Sequence, residues 1–174
     1  MSQAAEVATP VASLSLVSRH DEAALRDALA SFPSGVTIVT TTDSDGRWWG
    51  FTASSFCSVS MDPPLVLVCL ATSAECHAAF AVAEEWVIQV IHPDHVEVAG
   101  RFATRGADKF GGGFQPGPHG LPVLDEAIVT LHCRSHQRHL AGDHTILVGE
   151  VLSAEADLAR EPAVYFRRGF HRLP

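Results

Sequence analysis

At 174 residues the chain is long enough for one domain with a sizeable core and too short for a multidomain machine. Twelve Lys plus Arg against 20 Asp plus Glu give a formal charge of −8, which disfavours nucleic acid and anionic membrane surfaces as partners. A hydrophobic fraction of 47% with only 18% charged residues predicts apolar surface in excess of one core, and hence a homodimer.

Residues 1–20 are rich in Ala, Ser and Val without a period and read as a flexible N-terminal arm, leaving 21–174 as the domain. Met1 to Ser18 lacks the basic and continuous apolar regions of a signal peptide, and no run is long enough to span a membrane, so a cytoplasmic chain is expected. The four cysteines (Cys57, Cys69, Cys76, Cys133) form no C-x-x-C pair and read as reduced, mostly buried thiols.

Asp21 is the expected N-cap of a helix carrying Ala24, Leu25, Ala28, Leu29 and Phe32 at helical spacing, stopped by Pro33 to Gly35. Val36 to Thr41 then reads as a strand, Asp43-Ser44-Asp45-Gly46 as a hairpin turn and Trp48 to Ser54 as the return strand. Phe56 to Ser60 and Leu65 to Leu70 are two more strands around the Asp62-Pro63-Pro64 turn, the second apolar on both faces as in a central barrel strand. A short helix capped by Ser73 is predicted over Ser73 to Val82, a strand over Trp86 to Ile91 and a helix over His95 to Ala103. Gly111 to Pro122, with five glycines and three prolines, reads as a loop that wraps over another part of the molecule, a lid being one such use. Two long strands, Ala127 to His139 and Thr145 to Ala156, and a short one at Val164 to Phe166 complete the chain. Roughly seven strands with two or three short helices predict a mainly β, closed or partly closed antiparallel barrel.

No G-x-G-x-x-G or G-x-x-x-x-G-K-[ST] run is present, so a nucleotide would have to be held by other means. Among ten histidines, His132 and His136 share a strand face while His139 points the other way, and no metal site is expected. Gly50-Phe51-Thr52-Ala53-Ser54-Ser55-Phe56 offers small hydroxyl residues suited to a phosphate or polyol, or else forms a hydroxyl-rich strand edge. Gly142-Asp143-His144 reads either as a turn bonding its own backbone or as a ligand contact.

Taken in order, Gly35 to Thr41, Gly50 to Phe56 with Ser58-Val59-Ser60, Asp62 to Leu70, Arg101-Phe102-Ala103, Asp108-Lys109-Phe110, Gly142-Asp143-His144 and Tyr165-Phe166-Arg167 resemble the short-chain flavin reductase family. The resemblance runs from about Ala24 to Leu173 and implies an antiparallel Greek-key, FMN-binding split barrel. It implies a homodimer that uses NADH or NADPH to reduce FMN or FAD and supplies reduced flavin to a separate monooxygenase. A tightly held flavin passing electrons to a ferric chelate, a corrinoid or a quinone stays open, as does a flavin-binding module without turnover.

By position, the resemblance lays the flavin along Trp48, Trp49, Gly50, Phe51 and Thr52 with Ser54 and Ser55, its ring against the backbone of Cys69-Leu70-Ala71. Arg101, Phe102, Lys109 and Phe110 flank it, and Ser73 and Cys76 stand at the phosphate side, where Arg101 is expected to supply charge and the helix start oriented amides. Asp143, His144, Phe166 and Arg167 are implied on the nicotinamide side. His144 is the residue given a part in catalysis, by orienting the nicotinamide rather than by moving a proton. Three positions depart from the family's habit: Glu75, which would repel a phosphate, Gln89 in place of asparagine, and Arg168 in place of glycine.

Overall fold

A computed structural model describes residues 21–173; the N-terminal arm expected at 1–20 lies outside the described residues. Helix α1 (Glu22–Leu29) starts where the sequence predicts, the Asp21 carboxylate accepting the Ala24 amide at 3.0 Å. Strands β1 (Ser34–Gly35), β2 (Thr37–Thr42) and β3 (Trp48–Ala53) follow. Asp43 closes the β2–β3 hairpin by accepting the amides of Asp45 and Arg47 on one oxygen and the Trp49 indole N–H, at 2.7 Å, on the other. The Trp49 hydrogen bond, joined by that from the Arg47 amide, holds the Asp43 carboxyl below its ordinary range.

Next come β4 (Cys57–Met61), β5 (Pro64–Ala71), α2 (His77–Val82), β6 (Glu85–Val90), a turn of 3-10 helix at Pro93–His95, and α3 (Val96–Ala103). The remainder is β, in a small hairpin of β7 (Phe114–Pro116) and β8 (Pro122–Leu124), a long one of β9 (Val129–Ala141) and β10 (His144–Ala156), and a last one of β11 (Val164–Phe166) and β12 (Gly169–His171).

Seven strands form one antiparallel sheet in the order β3-β2-β6-β9-β10-β5-β4. Its ends are consecutive in the chain, and the sheet curls: Phe51 and Ala53 of β3 share one core cluster with Val66, Val68 and Leu70 of β5, although four strands separate β3 from β5 in the ladder. Trp86 and Ile88 of β6, Leu147 of β10 and Phe80 of α2 fill the same interior. A second cluster, including Ile38, Ile91, Phe102 and Ala163, packs under α3. The chain is thus mainly β, with short helices on a curled antiparallel sheet, as expected.

Several elements differ from expectation. Strand β5 lies second from the sheet edge, and its side chains alternate between buried and half-buried rather than being enclosed on both faces. The helix expected from Ser73 begins only at His77, with Cys76 at its N-cap position and no side-chain cap. Thr72 is the physical reason: its amide and hydroxyl both donate to the Asp143 carbonyl, which turns the chain before a helix can start. The β11–β12 hairpin extends a terminus where only one strand was expected, through a turn in which Arg167 and Arg168 both adopt left-handed φ (47° and 63°). Cys57 is exposed, whereas Cys76 and Cys133 are buried, and all four thiols are free.

The Gly/Pro-rich stretch does wrap over the molecule, on the outer face of β2 and β6 rather than as a flap over a cleft. Thr40 donates to the Pro122 carbonyl (2.6 Å) and Thr42 to the Gly120 carbonyl (3.3 Å). Fully buried Gln89 donates to Thr40 Oγ1 while its carbonyl accepts the Leu124 amide, joining β2, β6 and β8. Gln89→Leu leaves the Leu124 N–H unsatisfied in the interior. A loss of about 1–3 kcal/mol is expected in urea or thermal unfolding.

Candidate flavin cleft

A cavity of about 670 Å³ opens where β3, the turn after β5, the end of α3 and the 104–110 segment converge. Its size falls in the range of small-molecule and cofactor sites. One wall is aromatic: Trp48 meets Phe110 edge-on (centroids 5.5 Å apart), Phe110 meets Phe102 at 5.1 Å, and Phe102 stacks on Phe114 at 5.1 Å. This wall exists because Gly50 has no side chain. A Cβ there would stand 2.6 Å from Phe102 Cε1 and 2.9 Å from the Val39 carbonyl.

The lining also carries charge, with Arg47, Arg105 and Lys109 as cations and Glu75 and Asp108 as anions. Arg47 lies over the Trp49 ring at 4.2 Å, and Lys109 Nζ donates to the Thr104 carbonyl at 2.5 Å. Glu75 does not face the cavity as a free charge: it accepts the Gly106 amide at 3.0 Å and sits 3.6 Å from Arg105 Nε, tying the 104–110 segment to the turn after β5. The cavity-lining Cys76 thiol is pushed up to about 11, chiefly by burial, so it is neither a thiolate nor a nucleophile at neutral pH.

Of the residues the sequence points to, Trp48, Trp49, Gly50, Phe51, Ser73, Cys76, Phe102, Lys109 and Phe110 line this one cavity. Thr52 stands behind the wall, its hydroxyl donating to the Ala99 carbonyl at 2.6 Å and fastening α3 to β3. Ser54 and Ser55 are outside the lining, and the Ser55 hydroxyl oxygen accepts the Cys69 amide at 2.9 Å. Beyond Leu67, Cys69-Leu70-Ala71 runs past the last β4 pair, so this edge of β5 is not covered by β4; its Cys69 N–H is nevertheless already taken by Ser55.

Arg101 lies behind the cavity instead of in it. It donates to the Gly112 carbonyl at 3.0 Å, and its Nε is buried without a partner. The cations at the cavity are Arg47, Arg105 and Lys109, of which the sequence pointed only to Lys109; Arg47 directly before Trp48 and the run Thr104-Arg105-Gly106 beside Lys109 were the available signals for the other two.

Asp143 and His144 border the site indirectly. The Asp143 carbonyl holds Thr72, the residue before cavity-lining Ser73, and His144 pairs with Ala71. His144 Nδ1 is 2.8 Å from Asp143 Oδ1, and that hydrogen bond holds the Asp143 carboxyl below its ordinary value. Phe166 and Arg167 do not reach the cleft within one chain. They lie against the end of α1, where the Arg167 amide donates to the Ala30 carbonyl and its guanidinium lies over the Phe166 ring at 5.1 Å.

An apolar slot walled by aromatic rings, with Arg47 and Lys109 at a rim where Arg105 is paired with Glu75, fits a flat ring system carrying a phosphate, as in a flavin. The family described as flavin reductase like domain matches residues 29–174. The chain is 44% identical over 149 residues to the NADH:riboflavin 5'-phosphate oxidoreductase of Streptomyces pristinaespiralis (84% of this chain, 85% of that one). It is 48% identical over 154 residues to a Streptomyces coelicolor protein named actinorhodin polyketide dimerase (88% and 87%). In structure it is similar to Streptomyces globisporus C-1027 NADH:FAD oxidoreductase SgcE6 in complex with NAD and FAD fragments, with TM-score 0.87 and 34% identity, covering 92% of this chain and 98% of that one.

Proposed function

The chain belongs to the flavin reductase like domain family, and from that premise we infer that it is an NADH-dependent flavin reductase whose product is a freely diffusing reduced FMN or FAD. The observation that carries the inference is the convergence of Trp48, Gly50, Phe102, Phe110 and Lys109 on one cavity of flavin size. A flavin held against Trp48, Phe102 and Phe110 would supply the redox chemistry, as acceptor of the hydride that reduced nicotinamide gives up.

The protein's own task is positioning and exclusion of water. Trp48, Phe102 and Phe110 would back the ring from one wall, while Arg47 and Lys109, with Glu75-paired Arg105, would offset phosphate charge in a chain of net charge −8. Glu75 serves that arrangement by holding the 104–110 segment. Asp143 and His144, fixed to Thr72, orient the nicotinamide at the end of β5, and no side chain is required to take a proton.

An exposed rim at Ser73, Glu75 and Thr104 to Gly106 favours release of the flavin over permanent retention, and with it the supply of a partner monooxygenase. Among the relatives, one is the reductase component of a flavin-dependent trigonelline monooxygenase and another, BorF, that of a two-component tryptophan halogenase. We also assign a homodimer, supported by exposed Leu29 at the end of α1, by Phe32 just after it, and by Val59 and Met61 on β4, the edge strand that pairs with β5 on one side only. Four free thiols suit a reducing cytoplasm, and no described helix is long and apolar enough to cross a membrane.

Release is tested under anaerobic conditions with protein and NADH on one side of a dialysis membrane and oxidised flavin on both. Bleaching of flavin on the protein-free side is the expected result. Flavin that co-elutes with the protein in gel filtration, with the far side still yellow, would replace diffusible supply with a bound prosthetic group.

A further inference from the structure

On the face of the sheet away from the core interior, three ligating side chains from distant parts of the chain meet. Glu85 opens β6 and His132 lies on β9, in a register that sets Glu85 opposite Arg134 and Val87 opposite His132, so the two are diagonal neighbours on one face. His132 Nε2 is 2.9 Å from Glu85 Oε2, and His119 Nδ1 is 2.5 Å from the same oxygen. All three ligand atoms lie within 4.8 Å of one another.

His119 reaches this point from the Gly/Pro-rich loop in a left-handed conformation (φ 55°), which a residue with a side chain adopts only when its surroundings hold it there. The surroundings do so. Gly117 donates to the Leu121 carbonyl at 2.8 Å, Thr42 to that of Gly120 and Thr40 to that of Pro122. Two of the ligands stand on strands, His132 is buried, and His119 is open to solvent on the side from which an ion would enter.

We propose that Glu85, His119 and His132 form a binding site for a divalent first-row transition metal ion of the zinc type, which clamps the Gly/Pro-rich loop to the outer face of the sheet. Two imidazoles with one carboxylate select against calcium and magnesium, which prefer all-oxygen shells, and leave a fourth position for water. Metal–ligand bonds of about 2.0–2.1 Å at tetrahedral angles need ligand atoms roughly 3.3 Å apart, so the two contacts to Glu85 have only to open by less than about 1 Å. The expectation of no metal site rested on His132, His136 and His139 of one strand. The pairing of β6 with β9 and the return of the loop supply the other two ligands.

The test is calorimetric titration of Zn²⁺ into the chelator-stripped full chain, in parallel with His119→Ala, Glu85→Gln and, as a control on the same strand, His139→Ala. Saturable uptake of one ion per chain is expected in the wild type and in His139→Ala, weakened at least about tenfold in His119→Ala and Glu85→Gln. At an ion concentration of about 100 Kd the wild-type Tm rises by roughly 5–10 °C, a shift absent from the two ligand variants. Co²⁺ in place of Zn²⁺ gives the intense visible bands of a four-coordinate ion. No saturable uptake, or equal uptake in His119→Ala and the wild type, overturns the site and leaves the cluster as a hydrogen-bonded clasp.

Discussion

Gly50→Ala is expected to weaken flavin binding at least about tenfold while leaving the chain folded. A Cβ at this position meets the Phe102 ring at 2.6 Å and the Val39 carbonyl at 2.9 Å, and only the ring can yield. Phe102 cannot move alone, because it packs edge-on with Phe110 and stacks on Phe114, and Phe110 in turn meets Trp48. Rearranging that wall costs stability of about 1–3 kcal/mol, the usual cost of overpacking. It also removes ring contacts worth about 0.5–1.5 kcal/mol each to a bound aromatic system, which is the basis for the tenfold figure. Flavin fluorescence titration measures the affinity, and circular dichroism with a melting curve confirms the fold. An unchanged affinity with an intact fold would place the flavin elsewhere.

The largest effect on stability is expected from Trp86→Ala, a loss of about 3–5 kcal/mol and a fall in Tm of roughly 6–20 °C. Trp86 is among the largest fully buried side chains and sits at the middle of the principal core cluster, opposite Cys133 in the β6–β9 ladder. Its ring lies against the backbone of β10 at Gly149, where a Cβ would come within 2.6 Å of Trp86 Cζ2. The ring and the missing side chain are two halves of one contact. Removing the ring leaves a cavity that Gly149 cannot fill, and urea denaturation read by far-ultraviolet circular dichroism measures the loss. A change below about 1 kcal/mol would mean that the sheet does not curl around this residue.

Much of this was legible in local sequence. The Asp21 cap and the Asp43 to Gly46 turn each depend on residues a few positions apart, and each stands where the sequence places it, whereas burial along β2 and β5 does not follow the expected pattern. Trp48 to Phe51, Phe102, Lys109 and Phe110, which the family resemblance put along the flavin, line one cavity. What the sequence did not reveal depends on partners far away in the chain. Glu75 looked like a charge set against a phosphate, whereas its partner is the Gly106 amide, 31 positions on. Arg101 looked like the phosphate's cation, and its guanidinium donates to the Gly112 carbonyl, 11 positions on. Ser73 looked like a helix cap because nothing nearby betrays that Thr72 is bonded to Asp143. The β11–β12 turn was hidden by its chemistry, since two arginines occupy left-handed positions that glycine or asparagine would normally announce.

The most direct measurement of the central claim is steady-state oxidation of NADH by the purified protein with FMN, FAD, riboflavin or no flavin added, repeated with Gly50→Ala. Oxidation that requires added flavin is the expected result, with a flavin KM raised at least about tenfold in Gly50→Ala. Binding of flavin without NADH oxidation, whichever flavin is supplied, would contradict it and leave a binding module in place of a reductase.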